Sequence, residues 1–259
     1  MKKLIVFLLL FIPGWMVIAQ ATEEGRIPIT TASEKAKSLY LQSLAAFKDV
    51  FFKKYGDLTS QALKEDPDFF MANFHSALFY HYLNNDIKFK ENATKAINCK
   101  AKLSKGELLL KDAAKKLVED KNADVTEFGK KLIDAYPKDE NSYYYQIFFQ
   151  GIINDYKGCV PNLKKAIEIA EKPAPYYNYL GYTYMNLEQF SDAEIAFDKY
   201  IELAPEIPNP YDSKGDYYMK VKDYNKAYDN YMKAYKIDTT WSYKKAINAK
   251  AIADSLSKK

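Results

Sequence analysis

Apolar and small residues recur along this chain in two nested rhythms. Locally they return every three or four positions, as on one side of an amphipathic helix. Over longer stretches the whole pattern returns after 34 residues: Tyr177, Gly181, Tyr184, Ala193 and Phe197 are answered by Tyr211, Gly215, Tyr218, Ala227 and Tyr231. A fixed period of that length marks tandem supersecondary units, each burying its apolar side against its neighbours. Carried upstream, the grid meets Tyr143, Cys159, Leu163 and Ala166, then Leu109, Ala113, Leu132 and Pro137. After a two-residue slip around Lys102–Lys105 it meets Ala77, Tyr80, Ala93 and Ala96, and finally Leu39, Ser43, Ala62 and Pro67. Pro67, Pro137 and Pro205 each stand where a second helix must stop, since proline cannot donate to the helical ladder and restricts the residue before it. Gly56 is expected to interrupt the second helix of the first unit. The small residues Gly181, Ala193, Gly215, Ala227 and Ala234 fall where paired helices have to touch.

The paired repeats from Tyr177 onward resemble the tetratricopeptide repeat, a helix-turn-helix unit stacked in tandem. The resemblance implies an all-α, right-handed superhelical solenoid of about six hairpins. The units lie near 36–69, 70–105, 106–139, 140–173, 174–207 and 208–238, within an array spanning 34–238. Thr31 and Glu34 have capping-box spacing and are expected to open the first helix. A terminal helix is expected from Trp241, capped by Thr240, within a capping segment at 239–257. Its stripe of Tyr243, Ala246, Ile247, Ala249 and Ala253 faces the array, while Lys244, Lys245, Lys250 and Asp254 meet water.

The N-terminus breaks the rhythm. Lys2 and Lys3 precede an apolar run from Leu4 to Ile12, and Ala19-Gln20-Ala21 offers a small-x-small cleavage site. A signal peptide over 1–21 and a leader over 22–33 follow, so the chain is expected to be exported, periplasmic or secreted, with no stable membrane insertion after cleavage. Loss of the two lysines lowers the formal net charge from +4 to +2. A near-neutral chain gives no electrostatic reason for a nucleic-acid partner.

The resemblance also implies binding, because the first helices of successive family units line a concave groove. The positions that point into it hold Tyr40 and Leu44, Phe74 and Leu78, Leu110 and Ala114, Tyr144 and Phe148, Asn178 and Tyr182, Asp212 and Asp216. The candidate groove residues are therefore Tyr40, Phe74, Tyr144, Phe148, Asn178, Tyr182, Asp212 and Asp216, aromatic in the middle and acidic at the C-terminal end. Family members that clamp a peptide carboxylate use Lys, Arg and Asn there, and only Asn178 fits, so the clamp is not carried over. A peptide segment or partner protein is the expected ligand, since exposed rings with polar tips suit binding surfaces. A carbohydrate stacking on the rings is the alternative.

Chemistry is scarce elsewhere. His75 and His81 are six residues apart, roughly 600° round a helix, which separates them for one metal ion. No glycine-rich phosphate loop, HExxH or nucleophile elbow is present. The chain is expected to be non-catalytic, without cofactor or metal. Cys99 and Cys159 sit among apolar neighbours in different units and are expected to be free thiols.

Overall fold

The structure, a computed structural model, describes residues 25–257. The signal-peptide expectation over 1–21 lies outside the described residues, as do 22–24 of the leader. Among the described residues there are thirteen helices, beginning with α1 (Glu34–Lys48), α2 (Phe52–Glu65), α3 (Phe70–Tyr82), α4 (Asp86–Ile97), α5 (Lys105–Glu119), α6 (Thr126–Ala135) and α7 (Glu140–Ile152). The second half holds α8 (Tyr156–Ile169), α9 (Ala174–Asn186), α10 (Phe190–Leu203), α11 (Asn209–Lys220), α12 (Tyr224–Ile237) and α13 (Tyr243–Leu256). The same residues contain no strand. Helices pack in consecutive pairs, and each pair leans on the next, an all-α repeat solenoid closed by α13 against α12.

The hairpins repeat because their turns do. Val50, Asn84, Asn154, Glu188 and Lys222 all take positive φ between the two helices of a pair, the last three 34 residues apart. Each turn closes with the Schellman bonds: in the fifth pair, Glu188 N–H donates to the Met185 carbonyl and Gln189 N–H to the Tyr184 carbonyl, at 3.2 and 2.9 Å. Asn85, Asp155 and Asp223, the next residues in their turns, then cap the following helix through their side chains. The third pair has no such turn. Its helices are joined by the longer 120–125 segment and packed less closely than the others.

Several local expectations are corrected. The first helix is capped by Ser33, whose hydroxyl accepts from Ala36 N–H, while the Thr31 hydroxyl is turned away to donate to Asp66. A full capping box occurs instead at Ser104 and Glu107, opening α5. Gly56 does not interrupt α2, which runs through it. There the backbone is exposed, and a glycine tolerated at modest cost suffices. The last helix begins at Tyr243 behind Ser242, held at positive φ, because the Thr240 hydroxyl is bound to Asp238 rather than capping it. At Pro67, Pro137 and Pro205 the second helices do stop, each two residues before the proline.

Close approach within pairs is set by glycine. A Cβ on Gly181 would lie 2.6 Å from the Phe197 ring, and one on Gly215 would lie 2.4 Å from the Tyr231 ring. Those rings are buried against their partner helices. The centre of the core is α3, in which residues 70–78 are buried on every side. A helix apolar all round has to be enclosed, and α1, α2, α4, α5 and α7 all supply contacts to it. Tyr40 meets Phe69 edge-on at 5.1 Å, Tyr55 meets Phe79 at 5.0 Å, and Phe74 meets Tyr145 at 5.9 Å.

The extended residues before α1 are strapped across this end of the array. Ile27 N–H donates to Asp139, Thr30 gives both its N–H and its hydroxyl to Glu107, and Ala32 N–H donates to Asp66. Carboxylates from two interhelix turns and from the start of α5 thereby satisfy the strap's backbone, and the Ile27 side chain lies against Gly106.

Candidate functional site: the inner face of the array

The first helices of the pairs carry the expected groove residues, and these meet three different surroundings. Tyr40 and Phe74 are 1 % exposed and belong to the core where α1, α3 and α7 meet. They offer no surface to a ligand. Leu78, Leu110 and Ala114 are buried with them.

Tyr144, Phe148 and Asn178 form the second group, half-buried in the middle of the array. The Tyr144 ring lies parallel to the His75 imidazole at 6.2 Å and beside Tyr179 at 6.5 Å, and Phe148 packs edge-on against His81. The Oδ1 of Asn178 is buried without a hydrogen-bond partner. An amide oxygen sealed in that state carries a desolvation cost for the fold. Burial raises the phenol pKa of Tyr144 and Tyr179, so both rings stay neutral acceptor-donors across the physiological range.

The third group is already engaged within the chain. Asp216 accepts from Tyr182 and Tyr231 hydroxyls at 2.9 and 2.7 Å and from Lys245 at 2.9 Å. Asp212 accepts from the Ser242 hydroxyl and, at 2.8 Å, from Lys245. The acidic end of the groove is thus the seat of α13. Burial alone would lower the Lys245 pKa, but its bonds to Asp212 and then Asp216 outweigh that and hold it raised. Burial, reinforced by the Asp216 charge, raises Tyr182 and Tyr231.

Three residues that spacing did not single out complete the inner face. Lys48, at the end of α1, pairs with Glu140 at the start of α7 and lies 5.9 Å over the Tyr176 ring of α9. Glu140 is four residues before Tyr144 and so shares its face of α7, a signal that was available. The pairing with Lys48, ninety-two residues away, was not. Beyond it, a cleft of about 670 Å³ separates Val50–Leu58 from Asp238–Trp241 and is lined by Phe51, Phe52, Lys53, Lys54 and Trp241. The tip of the first hairpin therefore faces the far end of the array.

The histidines are structural. His75 Nε2 shares a 2.6 Å hydrogen bond with the Tyr145 hydroxyl, and burial, with the nearby Lys48 charge, pushes its pKa down to about 3. His81 Nε2 is bonded to the Lys121 carbonyl oxygen at 2.7 Å. Among the described residues no group of three His, Cys, Asp or Glu side chains could hold a metal ion. Both cysteines are buried and free. Among those residues no helix is long and apolar enough to cross a membrane.

Residues 174–207 and 209–240 each match a family model described as tetratricopeptide repeat. These are the two units in which the 34-residue pattern is most regular. No curated protein matches the chain by sequence. In fold it is similar to yeast Tom70, at 16% identity and TM-score 0.55, covering 87% of this chain and 53% of that one. It is also similar to TTC0263, a thermophilic TPR protein of Thermus thermophilus, at 16% identity and TM-score 0.51, covering 72% and 97%. A third similar structure is PilW, a type IV pilus biogenesis factor, at 16% identity and TM-score 0.49, covering 82% and 97%. At such identities the likeness is one of fold.

Proposed function

We propose, from the premise that this chain is a tetratricopeptide-repeat protein, that it works by binding a segment of another protein on the inner face of its array. The observation that carries this reading is the half-buried set of rings Tyr144, Phe148 and Tyr179, of which Tyr144 and Tyr179 lie side by side. Large rings supply contact area at low entropic cost. Tyr182, Asp212 and Asp216 border this surface and hold α13 in place. No observation favours a carbohydrate ligand, and no cluster of titratable groups gives a reaction to assign. The chain acts as an interaction module or scaffold.

The same reading puts the protein outside the cytoplasm, periplasmic or secreted, because Lys2, Lys3, the apolar run and Ala19–Ala21 have the order of a cleavable signal. Affinity capture of the mature chain from its own cell envelope, with Tyr144→Ala and Asn178→Ala as controls, tests the function. A protein retained by the unaltered chain and lost from both variants supports it. A partner retained equally by all three moves binding away from the inner face. Intact mass of the exported protein tests the mature start near Thr22.

A further inference from the structure

None of Tyr144, Phe148, Tyr179 or Asn178 lines the cleft at the end of the array. Its two walls come from opposite ends of the described chain: the turn before α2 with the first turns of that helix, and the Asp238–Trp241 turn before α13. Phe51 on the first wall and Trp241 on the second are half-buried, and neither ring packs against another aromatic among the described residues. Each is therefore open to a guest in the cleft.

The walls also carry opposite charges. On the α2 side Lys53 is matched by Asp57 at 2.9 Å, which leaves Lys54. Lys54 makes no ion pair among the described residues, although its charge is felt by Asp49. On the other side Asp238 accepts both the N–H and the hydroxyl of Thr240 on a single oxygen, Oδ1, at 2.9 and 2.7 Å. The Thr240 N–H, and then its hydroxyl, hold the Asp238 carboxyl below the usual carboxylate range, so it is anionic at neutral pH. Its Oδ2 has no partner among the described residues. A cation thus faces an anion across the cleft, with an aromatic ring on each wall.

That arrangement selects a class of ligand. A carboxylate is drawn to Lys54 and an ammonium to Asp238, where the face of Trp241 adds a cation–π attraction. Apolar side chains between the two charges meet Phe51, Leu58 and Trp241. A volume of about 670 Å³ falls within the span of small-molecule sites, about 300–1,000 Å³, and gives room for a short peptide. A segment from within a longer chain carries neither end charge and gains nothing from the pairing. We propose that this cleft is a second binding site, which takes short peptides with both ends free and apolar side chains, carboxylate on Lys54 and ammonium on Asp238. It goes beyond the inner-face reading and does not depend on it.

Trp241 reports on the cleft directly. The chain's other tryptophan, Trp15, lies in the segment expected to be removed on export, so indole emission from the mature chain comes from this site. The test titrates the mature chain with trileucine, N-acetyl-trileucine and trileucine amide and follows that emission. Free trileucine is expected to give a saturable change, with each blocked form binding at least tenfold more weakly. Lys54→Gln is expected to abolish the preference for the free acid over the amide and to keep that for the free amine. Asp238→Asn, whose amide oxygen still accepts from Thr240, is expected to do the reverse. Circular dichroism checks that both variants are folded, and the three peptides on the unaltered chain need no variant. A change that does not saturate, or equal binding of free and blocked forms, overturns the proposal. So do end-group preferences that survive both substitutions. Tyr144→Ala is expected to bind trileucine as the unaltered chain does; loss of binding there would put the tripeptide on the inner face, removing this proposal and leaving the proposed function standing.

Discussion

Gly181→Ala is the sharpest test of how the pairs are held together. The added Cβ would lie 2.6, 2.7 and 2.8 Å from three carbons of the Phe197 ring, about 1 Å inside the ~3.5–4.0 Å at which carbon atoms pack. The ring has nowhere to go: Phe197 is fully buried, with Tyr182 edge-on at 5.3 Å and Tyr217 at 6.2 Å. Overpacking of this kind costs about 1–3 kcal/mol. The same substitution gains roughly 1 kcal/mol of helix propensity, so its net effect alone is a poor measure. Gly56→Ala supplies the reference, since Gly56 is also inside a helix, is exposed, and has nothing within 4 Å of the added Cβ. Both variants share the propensity gain, and their difference isolates the steric term. Urea unfolding followed by far-UV circular dichroism is expected to place Gly181→Ala about 1–3 kcal/mol below Gly56→Ala. Adding Phe197→Leu is expected to recover part of that loss as a favourable coupling. Equal stability of the two alanine variants would refute the claim that glycine sets the helix separation.

Four further outcomes follow from single sites. Val50→Asn keeps the left-handed turn and removes β-branched strain, so it is expected to stabilise by up to about 1 kcal/mol in the same titration. His75 is neutral in the fold with its pKa near 3, whereas the unfolded chain protonates near 6.5; stability due to this residue is therefore intact above pH ~6.5 and declines as pH falls towards 3. Comparing the native chain with His75→Gln between pH 6 and 4 should show a steeper loss in the former, by up to ~1.4 kcal/mol per pH unit. Lys245→Met leaves Asp212 and Asp216 without their cation and is expected to cost about 1–2 kcal/mol, read as increased hydrogen exchange across α13. Cys99 and Cys159, buried and with burial raising both thiols, Cys159 to about 12, are expected to resist a thiol reagent until the chain is unfolded.

The array was legible in the sequence because its constraints are local and repeat. A glycine facing a ring, an alanine at the crossing and a proline after the second helix recur wherever the same contact recurs, so spacing identifies them. The positive-φ turns obey the same interval at Asn154, Glu188 and Lys222, yet Glu and Lys carry no turn signature, and only the hydrogen bonds reveal the motif. The third pair, lacking that turn, is where the grid is loosest. At α1 the choice between Thr31 and Ser33 as cap is decided by Asp66, which lies 35 residues from Thr31 and binds its hydroxyl. Caps are read from neighbours, and this one is settled by a distant carboxylate.

The inner face was harder for a physical reason. A 34-residue grid places each side chain relative to its own unit and the next, and it carries no information on how tightly successive units curve. Curvature brings α3 to α7, as the bond from His75 to Tyr145 requires, and that contact turns Tyr40 and Phe74 from lining into core. It also brings Lys48 to Glu140. The acidic end follows the same logic from the other side: Asp212 and Asp216 pair with Lys245, on a helix that continues the stack. In the middle of the array Tyr144, Phe148 and Asn178 are only half-buried, and the proposed function rests on the rings among them. If curvature is what selects these residues, loosening the strap held by Asp66, Glu107 and Asp139 must change them. Ile27→Asp, which puts a charge beside Gly106 and Asp139, is the substitution through which that dependence would be felt at Tyr144 without touching it.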